Sequence, residues 1–246
     1  MLDTPETRAI AALYRPLASG RWTLRQGGVV LTRGYWSPPA PVGMIALLRD
    51  GDTWMSLTPM EIESQQIGVA AAHGHVVVMG LGMGWAAAAS ALRDAVDRVT
   101  VIEADPDVIA MHDELDLFAR LPDGAGDKLR IVHGDALAWR PDRPVDVLMA
   151  DIWLPLVSDG RLDEVRAMQA NVAAAGLYFW GQEMEIARHA RAAGRTLDDA
   201  GIAATVADFG LPLIGPGTPD YPARIHAAAT AWMRDRWLPT DGSLAA

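Results

Sequence analysis

The sequence feature that most constrains the fold is an apolar run at residues 75–79, followed by Gly80, Gly82 and Gly84 and an alanine-rich segment at 86–95. A strand that is buried on both faces of a sheet is apolar along its whole length. The pattern therefore predicts a central strand of a parallel sheet, then a turn and a helix. Glycines at such a turn let a ligand approach the backbone closely. The segment predicts a nucleotide-type binding site, and the alternative is a tight turn that only glycine tolerates.

The spacing of the glycines favours one class of ligand. The dinucleotide-binding pattern G-x-G-x-x-G requires a glycine at position 85, which is Trp85 in this chain. The pattern present here, G-x-G-x-G, is more often seen where S-adenosylmethionine binds, because that site needs room for an amino-acid tail and a sulfonium. We therefore expect the glycines and Leu81 to contact a ligand of this kind.

Two further strands end in acidic residues. The apolar segment 99–102 leads into Glu103 and Ala104, and the segment 129–133 leads into Gly134, Asp135 and Ala136. An acidic residue about 20 positions beyond the glycines is suited to accept hydrogen bonds from both ribose hydroxyls. Asp135 would stand beside Glu103 and accept a hydrogen bond from the exocyclic amine of an adenine. These four non-glycine residues are predicted to belong to the cofactor site, although Glu103 would also serve as an ordinary strand-end carboxylate.

A fourth strand, at 145–150, ends in Asp151 over the same crevice. Its carboxylate is the one best placed to face the reacting end of the ligand, so Asp151 is predicted to be both a cofactor contact and a catalytic residue. The alternative for Asp151 is a turn or helix N-cap. Trp153 is the predicted aromatic contact, stacking on adenine or on a cationic acceptor.

From Asp50 to Pro155 the chain resembles the spermidine synthase-like branch of the class I S-adenosylmethionine-dependent methyltransferase superfamily. The resemblance rests on Asp50-Gly51, the glycine loop 80–84, the segments 102–109 and 128–136, and Asp151 with Pro155. It covers about 100 of the 246 residues. It implies an α/β fold with a Rossmann-like, doubly wound and mostly parallel sheet. It also implies S-adenosylmethionine, or its decarboxylated form, as the donor.

The departures from that family concern residues expected around the donor and the acceptor. Met83 and Leu154 stand where the family has aspartates, Trp54 stands where it has a glutamine, and Glu63 stands where it has a tyrosine. Three functions therefore stay open. The first is a methyltransferase acting on a small molecule, the second is an aminopropyltransferase using the decarboxylated donor, and the third is a non-catalytic binding protein.

Transfer of an alkyl group from a sulfonium requires alignment and at most one carboxylate to accept a proton. We predict that Asp151 supplies it, with Glu63 as the reserve catalytic residue.

Composition limits the partners. The chain has 31 acidic and 21 basic residues, a net charge of −10, and no clustered basic residues, which disfavours a nucleic-acid substrate. A small-molecule acceptor is expected, and an amine is one candidate because acids such as Glu61 and Glu63 would attract a cation. With no cysteine and no third ligand near His73 and His75, no metal site is expected. The absence of a leader or an apolar run of about 18 residues predicts a cytoplasmic protein that does not enter membranes.

We expect two parts in the chain. Residues 1–60 are predicted to form a short helix and a small β-rich extension, whose pairing between subunits would give a homodimer. Residues 61–246 are predicted to form the Rossmann-like domain. The other expected elements are helices at 3–15, 61–72, 162–174, 181–195 and 222–237, and strands at 21–25, 29–33, 44–48, 177–180 and 202–207, with Gly27-Gly28 and 37–41 as separators.

Overall fold

A computed structural model describes residues 4–239, and within that range the chain forms two β-sheets and eight α-helices. The strands are β1 (Leu17–Ser19), β2 (Trp22–Thr32), β3 (Ala40–Arg49), β4 (Asp52–Ser56), β5 (Gly74–Met79), β6 (Val96–Glu103), β7 (Leu129–His133), β8 (Val147–Ala150) and β9 (Gly176–Phe179). The helices are α1 (Pro5–Ala11), α2 (Pro59–Ala71), α3 (Trp85–Ala91), α4 (Pro106–Leu115), α5 (Arg161–Val172), α6 (Gln182–Ala192), α7 (Asp199–Phe209) and α8 (Tyr221–Trp232), with a 3-10 segment at Pro122–Lys128.

The larger sheet has the order β7-β6-β5-β8-β9, and all four pairs of neighbours are parallel. From the central strand β5 the chain first adds β6 and β7 on one side. It then crosses back and adds β8 and β9 on the other side. In a doubly wound sheet this reversal opens a crevice at the carboxyl ends of the strands, and ligands bind there. The predicted α/β, Rossmann-like fold with an N-terminal β-rich extension is confirmed.

Helices cover both faces of this sheet, which explains the uninterrupted apolar strands. Val77 and Met79 of β5 pack into one hydrophobic core, whereas Val76 and Val78 pack into the other. All four side chains are at most 3% exposed. Alternation between two cores requires apolar residues at every position, as the pattern at 75–79 indicates.

The N-terminal sheet is antiparallel, in the order β1-β2-β3-β4. The two short β runs predicted on either side of Gly27-Gly28 are one strand, β2, because those glycines form a bulge at which the register shifts between Gln26 and Val29. Part of the predicted separator at 37–41 belongs to β3, and β4 was not predicted. Trp22 and Leu47 of this sheet pack into the same core as Ala88 of α3, so the sheet is fixed against the parallel domain.

One predicted strand is wrong. The segment 202–207 lies in helix α7, whose N-cap Asp198 accepts a hydrogen bond from the backbone of Gly201 at 2.8 Å. Its buried residues Ile202, Thr205 and Phe209 recur at helical spacing. The start of the helix predicted at 3–15 includes Asp3, which lies outside the described residues. Within residues 4–239 no helix is long and apolar enough to cross a membrane.

Candidate functional site

A cavity of about 510 Å³ lies at the carboxyl ends of the parallel strands, beneath the N-terminal sheet. Most of the residues predicted from the sequence line it together, namely Gly80, Leu81, Gly82, Gly84, Glu103, Ala104, Ala136, Asp151 and Trp153. Asp135 and Glu63 do not. Within residues 4–239 no group of three His, Cys, Asp or Glu side chains is placed to hold a metal ion.

The glycine loop needs glycine at each of its three positions. Gly80, Gly82 and Gly84 have φ angles of 94°, 48° and 77°, a region that residues with a side chain rarely adopt. A Cβ at Gly80 would lie 2.1 Å from the carbonyl oxygen of Asp151, and one at Gly84 would lie 2.7 Å from the His112 ring. The loop therefore makes a tight turn and brings the chain after β5 into close contact with the chain after β8.

Side chains from three elements hold the loop in place. The hydroxyl of Tyr14 donates to the Met83 carbonyl at 2.7 Å, and the Met83 N–H contacts the sulfur of Met55 at 3.2 Å. His112 Nε2 donates a hydrogen bond to the carbonyl oxygen of Gly82 at 2.9 Å. Burial lowers the pKa of His112 to about 4, so the ring is neutral at physiological pH. Three side chains thus contact the loop through its backbone.

Glu103 also supports the loop. One carboxylate oxygen accepts from the Leu81 N–H at 2.9 Å and the other accepts from the Asp105 N–H at 2.8 Å. A carboxylate has about four acceptor positions, so two remain for hydroxyl groups in the cavity. Glu103 is therefore oriented by the backbone while part of its acceptor capacity faces the cavity.

Asp135 lies just outside the cavity wall, between Gly134 and Ala136, which both line it. Its side chain is exposed and accepts a hydrogen bond from the Leu137 N–H at 2.9 Å, which stabilises the turn after β7. His133, the residue before this turn, is exposed and contacts the Ala104 carbonyl at 3.1 Å. The small residues of this turn, rather than the acid, form the wall.

Asp151 follows β8 and faces the cavity. Its Oδ2 accepts a hydrogen bond from the amide of Gln65 at 2.6 Å. Burial raises the pKa of Asp151 to about 7, and the charge of Arg161 and the Gln65 hydrogen bond oppose that rise. A carboxyl with a pKa near 7 is divided between its acid and base forms at neutral pH, as a proton-transferring group requires.

Glu61 is a second acid at this end, and the sequence had placed it only among acids that would attract a cation. It lines the cavity, and its carboxyl accepts a backbone hydrogen bond from Ser56. Burial, and then the charge of Asp151, raise the pKa of Glu61 to about 8. Glu61 and Gln65 are four residues apart on α2, so they share one helix face. Glu61 therefore lies on the same helix face as the residue that holds Asp151.

Glu63, the predicted reserve catalytic residue, points elsewhere. It is 2% exposed, and its carboxylate accepts hydrogen bonds from the backbone N–H groups of Trp36 and Ser37 and from the Ser37 hydroxyl. Two residues along a helix turn the side chain by about 200°, which explains why Glu63 faces this loop when Glu61 faces the cavity.

A buried polar cluster fixes the back of α2. The hydroxyls of Tyr35, Tyr178 and Tyr221 donate to Glu183, and that of Tyr178 also contacts the Ser64 carbonyl at 2.7 Å. Burial raises the pKa of Glu183 to about 7. Because Ser64 lies between Glu61 and Gln65 in α2, this cluster holds the face that lines the cavity.

Arg161 organises the loop that follows Asp151. It is 1% exposed and donates to the carbonyls of Pro155, Leu156 and Trp180. Its guanidinium also stacks 4.1 Å from the centre of the Trp153 ring. Two contacts therefore hold Trp153 at the cavity wall. The Arg161 guanidinium stacks on its ring, and its indole N–H donates a hydrogen bond to Glu164 at 2.5 Å.

The N-terminal sheet supplies cavity residues that the sequence did not identify. Trp22, Arg49 and Trp54 line the cavity, and the Trp22 indole N–H donates to Asp105 at 2.8 Å. The sequence gives only a weak indication of this cluster, because the three residues are separated along the chain and only the β2–β3–β4 pairing brings them together.

No protein-family model matches the chain, and no curated protein matches it. Among solved structures, the chain is similar to the complex of DhpI with SAM and HEP, with 22% identity and a TM-score of 0.36 over 50% of this chain and 55% of that one. It is similar to the glycopeptide N-methyltransferase MtfA complexed with S-adenosyl-L-homocysteine, with 22% identity and a TM-score of 0.34 over 44% of this chain and 41% of that one.

A third similar structure is that of Arabidopsis thaliana protein arginine methyltransferase 10, with 18% identity and a TM-score of 0.35 over 46% of this chain and 32% of that one. The matched region spans about half the length of the first of these proteins and less of the other two. The fold assignment rests on the strand order and the helices on both faces of the sheet.

Proposed function

We propose that this chain is a transferase that uses S-adenosylmethionine to methylate a small molecule, with residues 61–246 as the catalytic domain and 1–60 as an extension that covers the site. The observation that carries the proposal is the cavity of about 510 Å³ at the reversal point of the sheet, lined by the glycine loop, Glu103 and Asp151. Its volume falls within the roughly 300–1,000 Å³ of small-molecule sites.

The residues present fit an adenosyl group. Gly80, Gly82 and Gly84 line the cavity with backbone rather than side chains, and Glu103 keeps acceptor capacity for two ribose hydroxyls. Ala136 offers a flat, small wall for a purine, and Asp135 at its rim is our proposed acceptor for the exocyclic amine. Leu81, Ala104 and Trp153 complete the proposed cofactor contacts.

When bound, S-adenosylmethionine supplies a methyl group on a sulfonium whose leaving group is a neutral thioether. The protein therefore has to align the acceptor with that methyl and exclude water. Asp151, held by Gln65 at 2.6 Å, is the proposed general base. As an acceptor nitrogen forms its bond to the methyl carbon and the carbon–sulfur bond breaks, the Asp151 carboxylate takes the proton that the nitrogen gives up.

Glu61 replaces Glu63 as the second acid in this proposal. Glu61 lines the cavity beside Asp151, whereas Glu63 is bound to the loop at Trp36 and Ser37. The negative charge that forms when Asp151 ionises attracts a cation, which supports an amine as the acceptor. The same charge would suit a cationic diamine, so aminopropyl transfer from the decarboxylated donor is a second candidate.

The test is a transfer assay with methyl-labelled S-adenosylmethionine and a panel of primary and secondary amines. We expect label in an amine and formation of S-adenosylhomocysteine. Incubation with the decarboxylated donor should give neither an aminopropylated amine nor methylthioadenosine. An aminopropylated product would establish the second candidate instead, and binding of either donor without any product would indicate a binding protein.

A further inference from the structure

Arg49 is the one basic residue that lines the cavity in the described part of the chain. The other ionisable lining residues are four acids: Glu61, Glu103, Asp105 and Asp151. A ligand group that carries negative charge therefore finds a single cationic side chain on the cavity wall. The position of Arg49 consequently determines where such a group binds.

A tight turn and two indole rings place Arg49. It is the last residue of β3, directly before Asp50 and Gly51, whose φ angles of 53° and 93° are those of a type I′ hairpin turn. Its guanidinium carbon lies 5.4 Å from the ring centres of both Trp22 and Trp54. The two indoles contact each other edge to face at 5.4 Å, so they form a rigid support for the guanidinium.

Within residues 4–239 the buried Nε of the Arg49 guanidinium has no hydrogen-bond partner. The adjacent Asp50 attracts Arg49 electrostatically, but its carboxylate accepts hydrogen bonds from Arg21. A buried guanidinium nitrogen without a hydrogen-bond partner is costly for a fold to keep. A ligand that binds the Arg49 guanidinium would supply the missing partner and explain why the fold keeps it.

The glycine loop has few donors left for an anion. The N–H groups of Leu81, Met83 and Gly84 already contact Glu103, the Met55 sulfur and the Leu81 carbonyl, respectively. The next donors along the chain begin α3, which has only seven residues. The charged donor that the cavity offers an anionic group is therefore the Arg49 side chain.

We propose that Arg49 binds the carboxylate of the methionine tail and thereby selects S-adenosylmethionine over its decarboxylated form. This inference rests on the proposed function, because it takes the adenosyl donor as the ligand. The donor has one anionic group, and the decarboxylated form lacks it while keeping both positive charges. Without the carboxylate the ligand leaves Arg49 unpaired and adds cationic charge beside it.

The test is calorimetric titration of the full chain and its Arg49→Gln variant with three ligands: S-adenosylmethionine, its decarboxylated form and methylthioadenosine, which has no amino-acid tail. We expect the wild type to prefer S-adenosylmethionine over the decarboxylated form. Arg49→Gln should weaken the binding of S-adenosylmethionine roughly tenfold to a hundredfold, because a hydrogen-bonded ion pair is lost. Binding of the other two ligands should change less than about threefold.

Two variants serve as controls. Arg25→Gln removes an exposed guanidinium of strand β2 that does not line the cavity, and Arg49→Lys keeps the positive charge without the fork of donors. Both should bind S-adenosylmethionine more tightly than Arg49→Gln, and thermal unfolding will verify that each variant is folded.

Equal weakening of all three ligands by Arg49→Gln, or no change, would overturn the inference while leaving the adenosyl site intact. Failure of the wild type to bind any of the three would instead contradict the proposed function, and the inference with it.

Discussion

Glu103 and Asp151 end the two strands that flank β5, and both line the cavity, but their surroundings differ. Glu103 accepts two backbone hydrogen bonds from Leu81 and Asp105 and so belongs to a preformed loop. Asp151 has one amide partner, Gln65, and a second carboxyl, Glu61, nearby. Burial raises the pKa of Asp151 to about 7, although the charge of Arg161 and the hydrogen bond from Gln65 oppose that rise. One end of the cavity is therefore built to hold a ligand, and the other to exchange protons with one.

The largest expected effect is at Asp151. Asp151→Asn keeps the shape and the contact with Gln65 but removes the base, so turnover should fall roughly a hundredfold or more. Affinity for S-adenosylmethionine should change by less than about threefold. Steady-state kinetics with the identified acceptor, together with calorimetry, measures both quantities.

Asp142→Asn is the matched control, because Asp142 is exposed and pairs only with Arg143. It should leave turnover unchanged. If Asp151→Asn lost donor affinity and turnover to the same extent, Asp151 would belong to the donor-binding end and the contrast with Glu103 would fail.

A smaller effect is expected from the two glutamates of α2. Since Asp151 acts as a base only when ionised and its pKa is about 7, turnover should rise as the pH increases from about 6 to about 8. Glu61→Gln should leave that rise in place, because the Glu61 carboxyl, with a pKa of about 8, is still protonated and uncharged when Asp151 ionises. The substitution should change turnover only above about pH 8, where the wild-type Glu61 ionises. Turnover measured across pH for both proteins tests both parts of the profile.

Glu63→Gln provides the internal comparison. It should leave the pH profile in place but lower the unfolding temperature, because Trp36 and Ser37 lose a charged hydrogen-bond partner. A change in turnover above about pH 8 for Glu63→Gln and none for Glu61→Gln would reverse the assignment made from the structure.

The smallest effect is expected at Asp135. An asparagine still offers an oxygen to both the Leu137 N–H and the exocyclic amine of adenine, and the side chain lies at the rim. Asp135→Asn should therefore weaken donor binding by only about twofold to threefold. A loss as large as that of Glu103→Gln would show that Asp135 moves into the cavity when the ligand binds.

The sequence was sufficient for the parallel sheet and its glycine loop because burial on both faces leaves an apolar run that few other structures produce. It did not distinguish Glu61 from Glu63. The helical spacing to Gln65 would have favoured Glu61, but the partners of Glu63, Trp36 and Ser37, lie more than 25 residues away.

Two other features depended on tertiary contacts. Arg49, Trp22 and Trp54 meet through strand pairing across a hairpin and a bulge, which no local pattern encodes. The segment 202–207 resembled a strand because a short apolar run is ambiguous, and Asp198 with the spacing of the buried residues resolves it as a helix.

The most direct test of the account is calorimetric titration of S-adenosylmethionine into the wild type and into Glu103→Gln. We expect one site per chain in the wild type and affinity reduced by roughly tenfold in the variant, because a charged acceptor for the ribose hydroxyls is lost. No measurable binding by the folded wild type, or equal affinity in both proteins, would contradict the claim that this cavity is an adenosyl site.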